Sequence, residues 1–190
     1  MMQKLTPLSE VGEFGLIDRI KNAVELTQSS SLLGIGDDAA LITSDKNLVI
    51  TTDILLEGIH FDLMYTPLKH LGYKAVMVNL SDICAMNAKP RQILIALGLS
   101  KKFSLEAVDE LYEGILMACQ KYKVDLVGGD TSSSLTGLTI SITAIGEVEP
   151  EKTCKRSGAQ ETDLICLSGD LGAAYLGFQL LEREKEVFKV

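Results

Sequence analysis

LKHLGYKAVMVNLSDICAMNAKPRQILIALGL, residues 68–99, holds two elements of different period side by side. From Leu68 to Met86 apolar side chains recur on nearly every helical face, which predicts a long helix that is apolar almost all round. Asn79 and Asp82 lie three residues apart in it and so share one face. Beyond the Asn87-Ala88-Lys89 break, Pro90 to Leu99 is a short apolar run of strand length. A buried helix handing directly to a buried strand points to a mixed α and β core.

Working outward, Ser104 to Lys121 reads as a second helix with Ser104 as its cap, and Val124 to Val127 and Leu138 to Val148 read as strands. Upstream, Glu13 to Leu26 has helical spacing with Asp18, Arg19, Lys21 and Asn22 between its apolar residues. Three β-like runs follow, Ser31 to Gly34, Ala39 to Ile42 and Asn47 to Thr52, and their short connections predict antiparallel neighbours. The expectation is an α+β fold, a mixed or antiparallel sheet with helices on one face. Residues 1–148 form one domain on this reading. Residues 149–163, with Pro150, Gly158 and many charges, form a linker. Residues 164–190, a strand at Leu164 to Leu167 and a helix at Ala173 to Leu181, open a second, truncated domain.

Eighteen basic residues against 26 acidic ones give a net charge of −8, which argues against a nucleic-acid partner because a phosphate backbone would be repelled. No segment approaches the length of a membrane span, and the start, MMQKLTPLSEVGEFGLI, is broken by Glu10 and Glu13 before a signal-peptide core develops. A cytosolic protein is expected. Cys84, Cys119, Cys154 and Cys166 form no C-x-x-C pair and read as reduced and structural.

Four carboxylates stand where apolar runs meet glycines or tight features: Asp38 in GIGDDAAL, Asp53 in VITTDILLEGIHF, Asp82 in VNLSDICAMNA and Asp130 in LVGGDTSSS. None of these segments contains Lys or Arg, so a metal ion is the economical compensator. For an oxygen-only set of Asp and Thr the ion is Mg²⁺, which is commonly shared between a carboxylate or two and substrate phosphates. Convergence of all four on one acidic pocket is expected. Taken alone, GIGDD and VGGD fit plain turns equally well. Asp82 is the strongest of the four, since a carboxylate in an apolar helix is expected to be buried. There is no G-x-x-x-x-G-K-[ST] loop and no full G-x-G-x-x-G, so neither a Walker ATPase nor a dinucleotide site is indicated. His60 fits a packed imidazole as well as a substrate contact, and Tyr112 fits the core by pattern.

Together, FGLI near the start, GIGDDAAL, TTDILLEGIHF, KAVMVNLSDICAMNAKP, LVGGDTS and KRSGA, in this order and spacing, resemble the thiamine-monophosphate kinase family. That family is related to aminoimidazole ribonucleotide synthetase and selenophosphate synthetase. The resemblance implies ATP as co-substrate, several Mg²⁺ ions and thiamine monophosphate as acceptor, with no side-chain nucleophile. It implies metal binding by Asp38, Thr51, Thr52, Asp53, Asp82 and Asp130. Nucleotide contacts fall to Tyr112, Gly129, Asp130 and Arg156, and thiamine phosphate contact to His60. It also implies an aminoimidazole ribonucleotide synthetase-like amino-terminal domain whose sheet pairs with a second subunit in a homodimer. Family members run on for a further domain, so the resemblance marks this chain as a fragment or a shortened gene product. Another ATP-dependent enzyme of the superfamily and a non-catalytic nucleotide- or metal-binding dimerisation module are the rival readings.

Overall fold

The computed structural model describes residues 5–188. Residues 1–4 of the expected first domain and 189–190 of the expected last segment lie outside the described residues. The elements are α1 (Leu8–Ala23), β1 (Ser31–Leu33), β2 (Leu41–Ile42), β3 (Asn47–Leu56), α2 (Leu68–Ala85), β4 (Lys89–Leu99), α3 (Leu105–Tyr122), β5 (Asp125–Ser133), β6 (Thr139–Val148) and α4 (Ala173–Phe188). The main sheet has the order β3-β6-β4-β5, and β1 and β2 form a separate antiparallel pair. In the main sheet β6 is antiparallel to both neighbours, whereas β4 and β5 run parallel. The parallel pair follows from α3 lying between β4 and β5 as a crossover, because parallel neighbours cannot be joined by a tight turn. The sheet is therefore mixed, as expected.

Leu71, Val76, Leu80 and Ile83 of α2 and Leu111 and Ile115 of α3 bury against Ile93, Ile95, Leu97, Ile140 and Ile142 of the sheet. The two helices touch backbone to backbone. A Cβ on Gly72 would lie 2.1 Å from the Leu111 carbonyl oxygen, and one on Gly114 would lie 1.8 Å from that of Lys69. The cap of α3 is as expected, with Ser104 Oγ accepting from the Ala107 N–H at 3.3 Å. On the other side of the sheet Ile50 and Ile54 of β3 stay 62% and 52% exposed, an open apolar face.

Several expectations need correction. The helix of residues 13–26 begins at Leu8 with Gly12 at φ 71 splitting it, and ends at Ala23 because Val24 is already extended. Strand β3 continues to Leu56 and pairs with β6 rather than with β2. Strand β5 runs on to Ser133, so Asp130 stands in a strand and the Gly-Gly-Asp is no turn. Residues 164–167 are exposed and form no strand, while the helix expected to end at Leu181 extends to Phe188. Asp82 is exposed, because α2 buries one side and leaves Ser81, Asp82, Cys84 and Ala85 facing out. Cys119 is buried, but Cys84, Cys154 and Cys166 are exposed, and all four are free thiols.

Candidate active site

Two polar groupings emerge, one on each edge strand of the main sheet. On β3, Thr51 Oγ1 donates to Asp82 Oδ2 at 3.1 Å, and the outward N–H of Asp53 donates to Asn79 Oδ1 at 3.1 Å. Asn79 is 1% exposed, and its amide is fixed by donating to the Ala75 carbonyl at 3.0 Å. An edge strand leaves such N–H groups unpaired, so Asn79 latches α2 to the strand while its neighbour one turn on, Asp82, presents a carboxylate. Thr52 points to the opposite face, where it donates to the Ile142 carbonyl and accepts from Thr143, both at 3.1 Å. Thr51, Asp53 and Asp82 are thus brought together, and Thr52 is turned away by the two-residue period of the strand.

The second grouping lines a cavity of about 810 Å³ between α1, the Gly34–Ile42 loop and β5. Asp38 and Asp130 both line it, as do Gly129, Tyr112 and Asp37. Burial pushes the Tyr112 phenol up from its ordinary value, so it remains a hydroxyl. A Cβ on Gly129 would lie 1.9 Å from the Ile95 carbonyl oxygen, so close strand packing alone demands glycine there. Asp130 Oδ1 accepts from the N–H of Thr131 at 2.8 Å, and Asp37 Oδ1 accepts from that of Asp38 at 2.9 Å.

The four aspartates do not converge within one chain. Asp53 pairs with Ile142, Ile142 with Ile95, and Ile95 with Gly129. Asp53 and Gly129 are thus three strand spacings apart, roughly 14 Å, and Asp130 lies on the opposite face. Asp38, Asp82 and Asp130 are exposed and Asp53 half-buried, so desolvation does not single them out as the apolar neighbours suggested. Among the described residues no group of three or more His, Cys, Asp or Glu is gathered closely enough to hold an ion. The donors present nonetheless suit Mg²⁺, which takes oxygen ligands and needs only one or two carboxylates beside phosphates and water. Arg156 is exposed and does not line the cavity. His60 is also exposed, and its Nδ1 accepts from the Leu56 N–H at 3.0 Å, which leaves Nε2–H as the donor of the neutral ring. The His60 carbonyl accepts from Lys74 Nζ at 3.0 Å.

Asp125, which the sequence did not single out, sets the position of the cavity loop. Its carboxylate, 1% exposed, accepts from Thr27 N–H at 2.8 Å, Thr27 Oγ1 at 2.9 Å and Gln28 N–H at 2.9 Å. Burial raises the Asp125 carboxyl, but hydrogen bonds from Ser31, Thr27 and Gln28 outweigh it and hold the group below the usual carboxylate value. Gln92, also buried, donates to Ser30 and Ser31 at 2.7 and 3.0 Å, and Arg91 donates to Gln28 Oε1 at 2.7 Å. The segment leading into the Gly-Asp-Asp loop is thereby fastened to the starts of β4 and β5. The partners lie some 60 to 98 residues away, so only a sidedness of polar residues at strand starts could have hinted at it.

The family model for the AIR synthase related protein, N-terminal domain, matches residues 36–148, more than half of the chain. This chain belongs to that family. Within the family it is similar to thiamine-monophosphate kinases. It is 40% identical to that of Aquifex aeolicus (strain VF5) over 183 residues, covering 96% of this chain and 56% of the relative. The crystal structure of the thiamine-monophosphate kinase from Stenotrophomonas maltophilia K279a superposes with a TM-score of 0.79 at 37% identity, over 91% of this chain and 54% of that one. A structure described as AaThiL complexed with AMPPCP and TMP superposes with a TM-score of 0.70 at 38% identity, over 98% of this chain and 56% of that one. The chain spans about half the length of the curated relatives it matches.

Proposed function

We propose that this chain is the nucleotide- and metal-binding part of a thiamine-monophosphate kinase, which moves the γ-phosphoryl group of ATP onto thiamine monophosphate to give thiamine diphosphate and ADP. The observation that carries this reading is the acid-lined cavity holding Asp38, Asp130 and Tyr112. It lies in a chain 38% identical to a protein crystallised with AMPPCP and TMP.

In this reading an oxygen of the acceptor phosphate attacks the γ-phosphorus in line and ADP leaves, so no side chain need form a covalent bond. The task of the protein is to position two anions and offset their charge. Asp38 and Asp130 at the cavity, and Thr51, Asp53 and Asp82 at the opposite edge of the sheet, would hold separate Mg²⁺ ions, which when bound neutralise charge on phosphoryl oxygens, while the Thr52 side chain is turned to the other face and is left out of the set. The Thr51 hydroxyl fixes one oxygen of Asp82 and leaves the other free to ligate. Gly129, with no side chain, would let backbone come close to the nucleotide beside the Tyr112 hydroxyl, and Arg156, which does not line the cavity, would contact it only if the linker were drawn toward the bound nucleotide. Nε2–H of His60, freed by the bond at Nδ1, donates to the phosphate of thiamine monophosphate. Residues 1–148 supply this machinery, 149–163 link it onward and 164–190 begin a second domain. The open sheet face bearing Ile50 and Ile54 supports a homodimer formed through it. Among the described residues no helix is long and apolar enough to cross a membrane. That observation and the negative charge favour a cytosolic protein without a nucleic-acid partner.

A second reading, a non-catalytic nucleotide-binding dimerisation module, draws on the absence, among the described residues, of a closely gathered group of carboxylates. Acceptor-dependent ADP release, measured on the 190-residue chain and on the full reading frame that encodes it, separates the two. The kinase reading expects release with thiamine monophosphate, from the full product, and none with thiamine. Release that ignores the acceptor points to another enzyme of the superfamily, and binding without any release points to the module.

A further inference from the structure

We infer that one face of α1 is the nucleotide-binding wall of the cavity, with Lys21 contacting phosphate oxygens and Phe14 stacking on the base; this rests on the nucleotide reading above. Phe14, Ile17, Asp18 and Lys21 follow the i, i+3, i+4, i+7 spacing of a single helix face, and all four line the cavity. Phe14 is 81% exposed, a ring left in solvent at the rim of a concavity. Gly12, at φ 71, breaks the helix just ahead of it, so Phe14 stands in the first turn of the segment that borders the cavity.

Lys21 lies at the other end of this face. A Cβ on Gly36 would meet Lys21 Nζ at 2.4 Å, so the ammonium rests directly on the Gly-Asp-Asp loop, two residues from Asp38. Gly36 itself has φ 129, a conformation that excludes a side chain as well. Among the described residues Lys21 Nζ makes no ion pair and donates no hydrogen bond, and it is the only basic side chain lining a cavity that also holds Asp18, Asp37, Asp38 and Asp130. A polyanion carried in with metal ions would meet there one positive charge not engaged by a carboxylate. The seven steps from Phe14 to Lys21 rise roughly 10.5 Å along the helix, comparable with the reach of a nucleotide from base to phosphates. The wall is held in place by Arg19, whose Nε and Nη2 donate to the two oxygens of Asp109 on α3 at 2.6 and 2.7 Å.

The test is calorimetric titration of the 190-residue chain and of its Lys21→Gln, Lys21→Arg, Phe14→Ala and Phe14→Tyr variants with Mg-AMPPCP, Mg-tripolyphosphate and adenosine. Lys21→Gln is expected to weaken AMPPCP and tripolyphosphate about five- to tenfold and to leave adenosine unchanged, with Lys21→Arg restoring most of the loss. Phe14→Ala is expected to weaken AMPPCP and adenosine about five- to tenfold and leave tripolyphosphate unchanged, with Phe14→Tyr restoring it. Both side chains are exposed, so thermal melts should not change. If the wild-type chain binds AMPPCP and the variants bind all three probes equally well, the wall assignment fails and the nucleotide reading stands. Equal losses for adenosine and tripolyphosphate in one variant overturn the assignment of base and phosphate ends. No binding of any probe by the wild type overturns both readings.

Discussion

Replacing Asp125 by Asn keeps the size of the side chain and removes its charge. In the wild type the carboxylate accepts two hydrogen bonds at Oδ1 from Thr27 and one at Oδ2 from the Gln28 N–H, with a further one from the Ser31 hydroxyl. The variant amide oxygen can still accept both bonds from Thr27, but as neutral bonds of roughly half the strength. Its NH₂ then faces the Gln28 N–H, donor against donor, so that buried N–H loses its partner at a cost of about 1–3 kcal/mol. A total of about 3 kcal/mol is expected near neutral pH. The sign with pH follows from linkage. The Asp125 carboxyl sits below its ordinary value in the folded chain. Its contribution is thus complete above the unfolded pKa of about 4 and is lost as pH falls through the folded value. Urea unfolding of both proteins should show the full difference at pH 7 and a smaller one near pH 3. Glu106, held down to about 2 by bonds from Thr6, titrates in both proteins and cancels in the comparison. A difference under about 0.5 kcal/mol at pH 7, or one that does not shrink in acid, would refute the role given to Asp125.

Gly114→Ala should destabilise the fold by about 2–3 kcal/mol or prevent it, because the new methyl would stand 1.8 Å from the Lys69 carbonyl oxygen and part α2 from α3; a thermal melt within error of wild type would contradict this contact. Asn79→Ala should cost about 1–3 kcal/mol by stripping the Asp53 N–H of its partner, and hydrogen exchange at Asp53 should accelerate; unchanged exchange would show that the latch does not hold the strand edge. Cysteine labelling under native conditions should modify Cys84, Cys154 and Cys166 quickly and Cys119 only on unfolding, since burial, helped by Asp125, pushes the Cys119 thiol up to about 12; rapid loss of all four thiols would contradict the core placement.

The helices α2 and α3 were legible because their apolar periodicity is long and because Ser104 is a cap that acts locally. Strands β3 and β5 were read several residues short. Their extensions, Asp53 to Leu56 and Gly128 to Ser133, rely partly on Asp, Thr, Ser and Gly, residues with little strand signature that are ordered by pairing with β6 and β4. For the same reason Asp130 looked like a turn residue. Asp82 was read as buried because the helix composition is apolar, but composition does not say which side of α2 is covered. The motifs pointed to the right family, yet spacing along the chain could not place Asp53 and Asp130 on opposite edges of one sheet. Asp125 escaped notice because every partner of its carboxylate is distant in sequence. Lys21 and Phe14 share a helical face that the sequence did display, but only the folded loop shows Gly36 beneath the ammonium.

The central claim is that the cavity binds a nucleotide through metal ions held by its carboxylates, and titration of this chain with AMPPCP in Mg²⁺ and in EDTA, for wild type and Asp130→Asn, tests it directly. The account predicts weak binding that requires Mg²⁺ and falls by about tenfold or more in the variant, while the metal-free variant melts close to wild type because Asp130 is exposed and bonds only to the neighbouring Thr131 N–H, which the Asn oxygen can also accept. Binding that persists in EDTA and is indifferent to Asp130, or no binding at any Mg²⁺ concentration, would contradict it.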